Sequence, residues 1–565
     1  MKKGQPTHMI YEFDDLYDGV VKQAQRYGDR DRYIYKVGKE ERHFTFRDML
    51  THVNSISSAM TRLGVAGKFV GVTGDTHPDY VASYIATVAC GGVIVPLDKD
   101  ISAEQFVGFV EMCGIELIVY TSSLQKKMLE VYERLGDVKY FVGIDCDGEG
   151  FPKDERFMTF EKFFEIGKEA YEAGDRTAEN QIVDKEKLCT ILFTSGTTGT
   201  SKGVMLNQRN LVTATMDSVS IMAATEKDFF VSVLPIHHSY EFTCEQLALP
   251  NTGAQTFIND SIKNTLRNFA HYKPTALVLV PLYVETMHKK IWAEIEKKGK
   301  AGLIRKLLPV ARKLPRAVRR AMFHEIIDAF GGRLDYIVCG GAPLRTEVMA
   351  DFDAFGIKIC EGYGITECAP LISANPMHWR KYHSVGLKVP HMEVRIEKED
   401  PQDETGEIVT HGDAVMLGYY KNPVATAEAF TEDGWFKTGD IGYIDEDNFI
   451  FITGRKKNVI IASNGKNVFP EEIEEYLSAC DLISECVVLG RKSGDGNDVV
   501  ITALVYPNYD KFEGKTKEEI QAAIEAEVDE VNKKLPTFKH IKCVEIRDTE
   551  FEKTTSRKII RYKLK

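Results

Sequence analysis

Short apolar runs alternate with helix-length segments over most of the chain, and this alternation limits the folds that the chain can adopt. The first instance starts with an apolar run at Phe69, continues through a helical segment from Tyr80 to Ala89 and ends with the run Gly92 to Leu97. Similar β-rich runs follow at Ile115 to Tyr120, Tyr140 to Ile144, Phe229 to Leu234, Ala276 to Val280 and Leu334 to Cys339. Strands and helices that alternate in this way form parallel sheets covered by helices. The pattern therefore predicts an α/β fold.

The composition is that of an ordinary globular chain of 565 residues, with 43% hydrophobic and 28% charged residues. A net charge of −12 argues against nucleic-acid binding, and no apolar run is long enough to span a bilayer. The segment from Met1 to Pro6 contains lysines without an apolar stretch behind them, so no secretory signal is expected. The eleven cysteines form no C-x-x-C pair, which favours core packing in a reducing, cytoplasmic compartment over disulfides or a metal site.

A strand that ends at Phe193 leads directly into a loop rich in glycine and hydroxyl side chains. The loop residues are Thr194, Ser195, Gly196, Thr197, Thr198, Gly199 and Lys202. Its glycines let backbone N–H groups approach an anion, its hydroxyls add donors, and its lysine adds a positive charge. The spacing differs from a Walker loop, because Lys202 precedes a glycine rather than a serine or threonine. The loop is expected to hold a polyphosphate.

With five further segments, residues 195–203 resemble the phosphate loop of the adenylate-forming superfamily, which includes acyl-CoA synthetases, peptide-synthetase adenylation domains and firefly luciferase. In the family's order the segments are GGAPL at 340–344, EGYGITE at 361–367, WFKTGD at 435–440, TGRKK at 453–457 and KTTSRK at 553–558. The resemblance implies a large N-terminal domain of several subdomains, residues 1–454. It also implies a small, mobile α+β domain, residues 455–565, that pivots on Lys457.

The resemblance further implies that ATP, Mg²⁺ and coenzyme A bind to this chain. Tyr363 stacks on adenine, Thr366 bonds the α-phosphate, Asp440 holds the ribose with Arg455 as its companion, and Glu367 binds Mg²⁺ together with Thr194. Other nucleotide-binding positions are Gly341, Ala342, Pro343, Glu361 and Gly362. The residue types suit these roles, since Mg²⁺ usually takes one or two carboxylates besides phosphate oxygens and water. Taken alone, a Thr-Gly-Asp sequence such as 438–440 is more often a turn.

Two C-terminal features carry the chemistry that the resemblance implies. Lys558 places a cation between the incoming carboxylate and the α-phosphate, where negative charge accumulates in the transition state. Arg557 stands where the family often has a glycine, so Lys553 is kept as the alternative lysine. Gly465 and Lys466 line the pantetheine tunnel in the second half-reaction, although the same segment also suits a plain turn before the helix at Pro470.

The acid to be activated is indicated by His237 and His238. Amino-acid-activating members of the family carry an aspartate in the corresponding segment, and this chain has none, so an uncharged acid is favoured. His238 is expected beside the reacting carboxylate, with a structural role for both histidines as the alternative. Residues 460–470, together with Lys456 and Lys457 in place of two aspartates, resemble the long-chain fatty acid group.

The leading interpretation is a fatty acid:CoA ligase that forms an acyl-adenylate and then a thioester. The first alternative delivers the acyl group to a separate acyl carrier protein, and the second is a nucleotide-binding protein without catalysis. Between Lys297 and Arg320 the chain has ten basic residues and no acidic ones, interleaved with leucines. This segment is expected either to contact an anionic inner membrane surface or to form a solvated basic excursion that Pro309 and Pro315 interrupt.

Overall fold

The structure is a computed structural model that describes residues 12–194, 201–222, 224–461, 467–492, 499–553 and 559–564. These residues pack into two compact units. The first contains the chain up to residue 194, residues 201–393 and residues 411–428. The second contains residues 394–410 and those from 429 onwards. The domain boundary expected between residues 454 and 455 stays a prediction.

The described residues form the following regular elements. The strands are β1 (Asp31–Val37), β2 (Glu40–Thr45), β3 (Phe69–Thr73), β4 (Val93–Leu97), β5 (Leu117–Thr121), β6 (Tyr140–Ile144), β7 (Phe157–Thr159), β8 (Leu188–Thr194), β9 (Lys202–Asn207), β10 (Phe229–Ser232), β11 (Gln255–Ile258), β12 (Ala276–Leu279), β13 (Tyr336–Gly340), β14 (Lys358–Gly364), β15 (Leu371–Ala374), β16 (Leu387–Lys388), β17 (Met392–Glu397), β18 (Gly406–Gly412), β19 (Gly418–Tyr419), β20 (Phe436–Ile444), β21 (Ile450–Arg455), β22 (Ile460–Ile461), β23 (Asn467–Val468), β24 (Ile483–Lys492), β25 (Val499–Pro507) and β26 (Cys543–Ile546). The α-helices are α1 (Leu16–Tyr27), α2 (Phe46–Arg62), α3 (Pro78–Ala89), α4 (Ala103–Cys113), α5 (Gln125–Val131), α6 (Phe160–Glu172), α7 (Thr177–Asn180), α8 (Gln208–Ile221), α9 (Ser239–Glu241), α10 (Thr265–Tyr272), α11 (Pro281–Lys297), α12 (Ala301–Ala311), α13 (Arg316–Met322), α14 (His324–Ala329), α15 (Thr346–Phe355), α16 (Pro423–Glu428), α17 (Pro470–Ser478) and α18 (Lys517–Asn532).

Two large sheets form the first unit. One has the strand order β16-β15-β14-β13-β12-β10-β11-β1-β2, and the other has the order β19-β9-β8-β4-β3-β5-β6-β7. Neighbours from β14 to β1 in the first sheet and from β8 to β7 in the second pair in parallel, and antiparallel strands complete the edges. This arrangement confirms the predicted α/β class with parallel sheets.

Helix α3 shows how the local sequence fixes this architecture. The side chain of His77 accepts a hydrogen bond from the backbone N–H of Asp79, and Pro78 occupies the first turn, where its missing N–H costs nothing. Every residue of the helix is buried, because α3 packs between α2 and strands β3 and β4. The sequence accordingly reads as an almost continuous apolar helix.

The C-terminal part of the second unit is an α+β layer. Strands β24 and β25 pair antiparallel, β26 joins β25 in parallel, and α17 and α18 pack on them over one apolar core. Pro470 lies at the first position of α17. A separate sheet in the order β17-β18-β20-β21 precedes this layer in the chain and carries Asp440 and Arg455.

The basic segment lies on α12, α13 and the adjoining turns of the first unit. Pro309 is inside α12, which continues to Ala311, while Pro315 ends the link before α13. Most of the basic side chains are engaged within the protein: Lys298 and Lys300 with Glu325, Arg305 with Glu296, Arg312 with Asp351, Arg316 with Asp335, and Arg319 and Arg320 with backbone carbonyls. Within the part of the chain that the structure describes, no helix has the length and apolar character that crossing a bilayer requires.

Candidate functional site

Strands β8 and β9 bring the two ends of the glycine-rich loop together. The strands are antiparallel, and Thr194 is the direct partner of Lys202. The hydroxyl of Thr194 donates a hydrogen bond of 3.4 Å to the carbonyl oxygen of Lys202. The ammonium of Lys202 lies 4.6 Å from the centre of the Tyr419 ring. Ser195, Gly196, Thr197, Thr198 and Gly199 lie outside the described residues.

A short 3₁₀ turn, Thr366–Cys368, presents Thr366 and Glu367 after the end of β14. The backbone makes a tight fold-back here, because a Cβ on Gly364 would lie 2.0 Å from the carbonyl oxygen of Pro370. Only glycine fits that position. The hydroxyl of Tyr419 donates a 2.8 Å hydrogen bond to Oε1 of Glu367, which fixes the carboxylate.

The segment around Gly341 is joined to β14 by Glu361. Strands β13 and β14 run in parallel with Gly340 opposite Gly362, and the backbone N–H of Leu344 donates a 3.3 Å hydrogen bond to Oε1 of Glu361. Tyr363 and Glu361 are buried, whereas Gly341, Ala342 and Pro343 are exposed. The exposed backbone of residues 341–343 is thus followed by a backbone N–H that the buried Glu361 side chain holds.

The histidine pair lies just before α9. The two rings are 4.1 Å apart, and Nε2 of His237 is 3.5 Å from Oδ2 of Asp98. Burial, and secondarily the neighbouring His238, lowers the pKa of His237 to about 3, so this ring is neutral at physiological pH. The next residue, Ser239, donates a 3.4 Å hydrogen bond from its hydroxyl to the hydroxyl oxygen of Thr366. His238 therefore lies one residue from a direct contact with the Thr366 turn.

In the second unit, Asp440 and Arg455 face each other across β20 and β21. They are register partners, and Nε of Arg455 lies 2.7 Å from Oδ1 of Asp440. Lys456 follows with a 2.9 Å ion pair to Glu407, and Lys457 is exposed in the 3₁₀ turn Lys456–Asn458. Gly465 and Lys466 lie outside the described residues.

Lys558 also lies outside the described residues, but its alternative, Lys553, does not. The ammonium of Lys553 forms ion pairs with Glu485 and with Glu550, the latter at 3.0 Å, and its side chain is only 20% exposed. A lysine whose charge is held by two carboxylates is poorly placed to stabilise a phosphate. The structure thus favours a structural role for Lys553.

Sequence reasoning did not single out Tyr419 or Ser239, although each contacts a predicted site residue. Tyr419 is far from Lys202 and Glu367 in the chain and reaches them only because β19 pairs with β9. Gly418 could have signalled a tight approach of the backbone, since glycine within a strand often marks such a place. Ser239 carries no comparable signal.

Comparisons with known proteins identify the family of this chain. The model of the AMP-binding enzyme family matches residues 20–420, and that of the AMP-binding enzyme C-terminal domain matches residues 457–565. The long-chain-fatty-acid–CoA ligase FadD15 of Mycobacterium bovis is 29% identical over 498 residues, or 83% of this chain and 78% of the ligase. The probable acyl-activating enzyme 16, chloroplastic, of Arabidopsis thaliana is 26% identical over 581 residues, or 91% and 79% of the two chains.

A solved structure shares the fold. The adenylation domain of a carboxylate reductase from Mycobacterium chelonae has a TM-score of 0.78 to this protein at 19% identity. The match covers 98% of this chain and 90% of that domain. The first family model covers more than half of the chain and includes Lys202, Thr366, Glu367 and Tyr419. This protein therefore belongs to the AMP-binding enzyme family.

Proposed function

We propose that this protein is an AMP-forming acid–thiol ligase that activates a medium- or long-chain fatty acid with ATP and transfers it to coenzyme A. Tyr419 contacts both Lys202 and Glu367 in a chain of the AMP-binding enzyme family, and the proposal rests on this observation. The similarity to a long-chain-fatty-acid–CoA ligase supports the substrate class.

In the first half-reaction, a carboxylate oxygen of the acid attacks the α-phosphorus of ATP, and the bond to pyrophosphate breaks. Two anions meet in this step, so cations and oriented donors lower its barrier. Lys202 and the loop before it hold the β- and γ-phosphates. Thr366 donates to the α-phosphate, and Lys558 places its charge between the two reacting groups. Asp440 accepts hydrogen bonds from the ribose hydroxyls.

Glu367 and Thr194 suit Mg²⁺ in the chemistry of their donor atoms. Both present the oxygen ligands that Mg²⁺ takes beside phosphate oxygens and water. No group of three or more histidine, cysteine, aspartate or glutamate side chains that could hold a metal occurs in the described ranges. Mg²⁺ bound there neutralises charge on the phosphates.

The acid is held near Ser239 and His238 in this proposal. Ser239 orients the Thr366 hydroxyl, and the neutral His237 adds no charge that would select for a second anion. His238 lies beside the reacting carboxylate. The absence of an aspartate in this segment of the sequence fits an acid without an ammonium group.

In the second half-reaction, the thiol of coenzyme A loses its proton to solvent, its sulfur attacks the acyl carbon, and AMP leaves with the electrons of the broken C–O bond. Residues 455–565 pivot on Lys457 to exchange the Lys558 face for the face that carries Gly465 and Lys466. A carrier-protein thiol is the alternative acceptor. A nucleotide-binding protein without turnover is the alternative from another class.

We also propose that the outward face of α12 makes peripheral contact with an anionic membrane. Leu303 and Val310 are 59% and 55% exposed and lie one heptad apart, so they share one side of the helix. Lys306, on the same helix, and Lys313, two residues after its end, are also exposed. Exposed apolar and basic side chains together are suited to a lipid headgroup layer.

The function is tested by mass spectrometry of products from a panel of acids, acetate to oleate with aryl and amino acids, supplied with ATP, Mg²⁺ and coenzyme A. We expect CoA thioesters of medium- or long-chain acids. Adenylate or AMP without a CoA thioester would instead indicate a carrier-protein acceptor. No nucleotide turnover with any acid would contradict the ligase and favour the non-catalytic alternative.

A further inference from the structure

Residues 413–420 form a strap that joins the phosphate-loop hairpin to the Glu367 turn. The backbone N–H of Met416 donates to the carbonyl oxygen of Glu367 at 2.8 Å, and that of Tyr420 donates to the carbonyl oxygen of Gly203 at 2.7 Å. Between these two bonds, β19 pairs antiparallel with β9, with Tyr419 opposite Val204. The strap is thus bonded to both segments whose side chains it separates.

The start of the strap is held as firmly as its end. The side-chain amide of Asn210, in the first turn of α8, donates to the carbonyl oxygens of Asp413 and Val415 at 2.7 and 2.9 Å. At the other end, Thr426 accepts a 2.9 Å hydrogen bond from the N–H of Tyr419. A Cβ on Gly418 would come within 2.6 Å of the Thr426 side chain, and the φ of +135° there favours glycine. The backbone of Tyr419 therefore has one defined position.

From that position, the side chain of Tyr419 contacts two predicted site residues at once. Its hydroxyl donates to Oε1 of Glu367 at 2.8 Å, and its ring lies 4.6 Å from Nζ of Lys202. Tyr419 is only 7% exposed, so its hydroxyl and the Glu367 oxygen that it contacts are shielded from solvent. A phenol can donate to a carboxylate oxygen, which only accepts.

Tyr419 contacts the Lys202 ammonium and the Glu367 carboxylate without neutralising either charge, so both can act on a ligand. Within the described residues, Lys202 and Glu367 form no ion pair with each other. The phenol occupies one carboxylate oxygen and leaves Oε2 for a metal ion, while the ring attracts the ammonium without neutralising it. Partners of this kind, which orient a metal-binding carboxylate, typically change metal affinity about 10- to 100-fold when they are removed.

We propose that Tyr419 is a positioning residue that sets the Mg²⁺-binding carboxylate of Glu367 and the phosphate-binding ammonium of Lys202 for a magnesium nucleotide. The inference rests on the proposed function, because it uses the roles given there to Glu367 and Lys202. It predicts two separable contributions, one from the hydroxyl to the metal and one from the ring to the lysine.

Calorimetric titration with ATP, once with saturating Mg²⁺ and once with EDTA, separates these contributions. Tyr419→Phe keeps the ring and removes the hydroxyl, so we expect ATP affinity in EDTA to be unchanged and the gain from Mg²⁺ to fall about 10- to 100-fold. Tyr419→Leu also removes the ring, so we expect weaker binding in EDTA as well. Tyr420→Phe removes a neighbouring hydroxyl that is not part of these contacts and serves as the matched control.

The outcomes distinguish this inference from the proposed function. If wild type gains no ATP affinity from Mg²⁺, the proposed metal site is wrong. If Glu367→Gln abolishes the gain and Tyr419→Phe leaves it intact, the metal site stands and the role of Tyr419 is refuted. Equal losses with and without Mg²⁺ in folded Tyr419→Phe, checked by its thermal unfolding, would also overturn the inference.

Discussion

Arg455 and Asp440 form an ion pair in which one member is almost fully enclosed. The carboxylate side chain of Asp440 is 4% exposed, whereas that of Arg455 is 39% exposed, and their charged atoms lie 2.7 Å apart. Burying a carboxylate is costly unless it is paired, and Arg455 supplies that partner and orients the side chain of Asp440. Because the two are register partners on adjacent strands, the sheet itself fixes their separation.

Asp440→Asn is expected to raise the KM for ATP about 10- to 100-fold, since a hydrogen bond to a charged group contributes about 1.5–3 kcal/mol. Steady-state kinetics with ATP and with 2′-deoxy-ATP provide the measurement. Wild type should lose affinity for the deoxy analogue, and the variant should not distinguish the two nucleotides. Asp433→Asn, at an exposed aspartate of the same unit, is the matched control. A variant that still discriminates would rule out a ribose contact.

Lys558→Ala is expected to slow acyl-adenylate formation by about 100- to 1000-fold, because it removes positive charge from the transition state. Conversion of supplied acyl-adenylate to thioester should remain near the wild-type rate. Pyrophosphate release and thioester formation are measured separately. Lys553→Ala is the matched control, since its ion pairs with Glu485 and Glu550 give it a structural role. Equal loss of both half-reactions in Lys558→Ala would contradict the assignment.

Lys457→Pro is expected to spare adenylation and to block thioester formation, because proline fixes φ at the proposed pivot. The same two half-reaction assays provide the measurement. Lys457→Ala keeps the backbone free and should behave as wild type. Normal overall turnover in the proline variant would refute the pivot.

Two buried glutamates should make stability fall as pH rises. Glu241 and Glu245 are 0% and 1% exposed, and the carboxylate of Glu241 accepts hydrogen bonds from Ser232 and Gln246. Burial raises the pKa of Glu241 from 4.5 to about 7, and burial with the adjacent Glu241 raises that of Glu245 well above 4.5. Above pH 4.5 the unfolded chain loses protons that the folded chain retains, so stability decreases up to and beyond pH 7.

Glu245→Gln should flatten this dependence, because a glutamine amide can donate to Glu241 at every pH. The free energy of unfolding is measured in denaturant between about pH 5 and pH 8. In the variant, its decrease with pH should be smaller by up to about 1.4 kcal/mol per pH unit, the contribution of one carboxyl group. Glu294→Gln, at an exposed position of α11, is the control. An unchanged slope in Glu245→Gln would show that this carboxyl is ionised in the folded protein.

Lys306→Glu with Lys313→Glu should abolish cosedimentation with phosphatidylserine vesicles if α12 contacts a membrane. Each reversal replaces attraction to the anionic surface by repulsion, and about 1 kcal/mol per basic residue is typical of such attraction. The control is Lys39→Glu with Lys162→Glu, which changes the net charge equally at exposed sites on other elements. Equal binding by both double variants, or no binding by wild type, would contradict the contact.

The sequence predicts the sheets well and the side-chain contacts poorly. The predicted strand at Tyr140 to Ile144 coincides with β6, and the α/β class is confirmed. Such strands are predictable because a buried parallel strand has a short, continuous apolar sequence. The pairing of the basic side chains in residues 297–320 does not depend only on neighbouring residues in the chain. The arginines of this segment pair with Asp335 and Asp351, which come later in the chain, so a charge count along the segment could not show that most of these cations are already engaged.

The same limit applies to the candidate site. Lys202, Thr366 and Glu367 are recognisable by motif, but the contacts that orient them come from Ser239 and Tyr419, which reach the site through tertiary structure. The buried pair Glu241 and Glu245 is also invisible in a sequence where glutamate usually faces solvent. Glu241 is the last residue of α9, and Glu245 lies in the π-helix of residues 242–247, which packs against α8.

The late position of β19 in the chain has a consequence for how the protein is made. Strand β9 would be an edge of the eight-stranded sheet if residues 418–419 did not pair with it. An uncovered edge exposes a row of backbone donors and acceptors that can recruit strands from other molecules. During synthesis, β9 leaves the ribosome long before β19, so a chain that stalls in between carries an unpaired strand edge next to its glycine-rich loop. We expect such truncated chains to aggregate or to require a chaperone, and the two-residue strand to end that hazard when it docks.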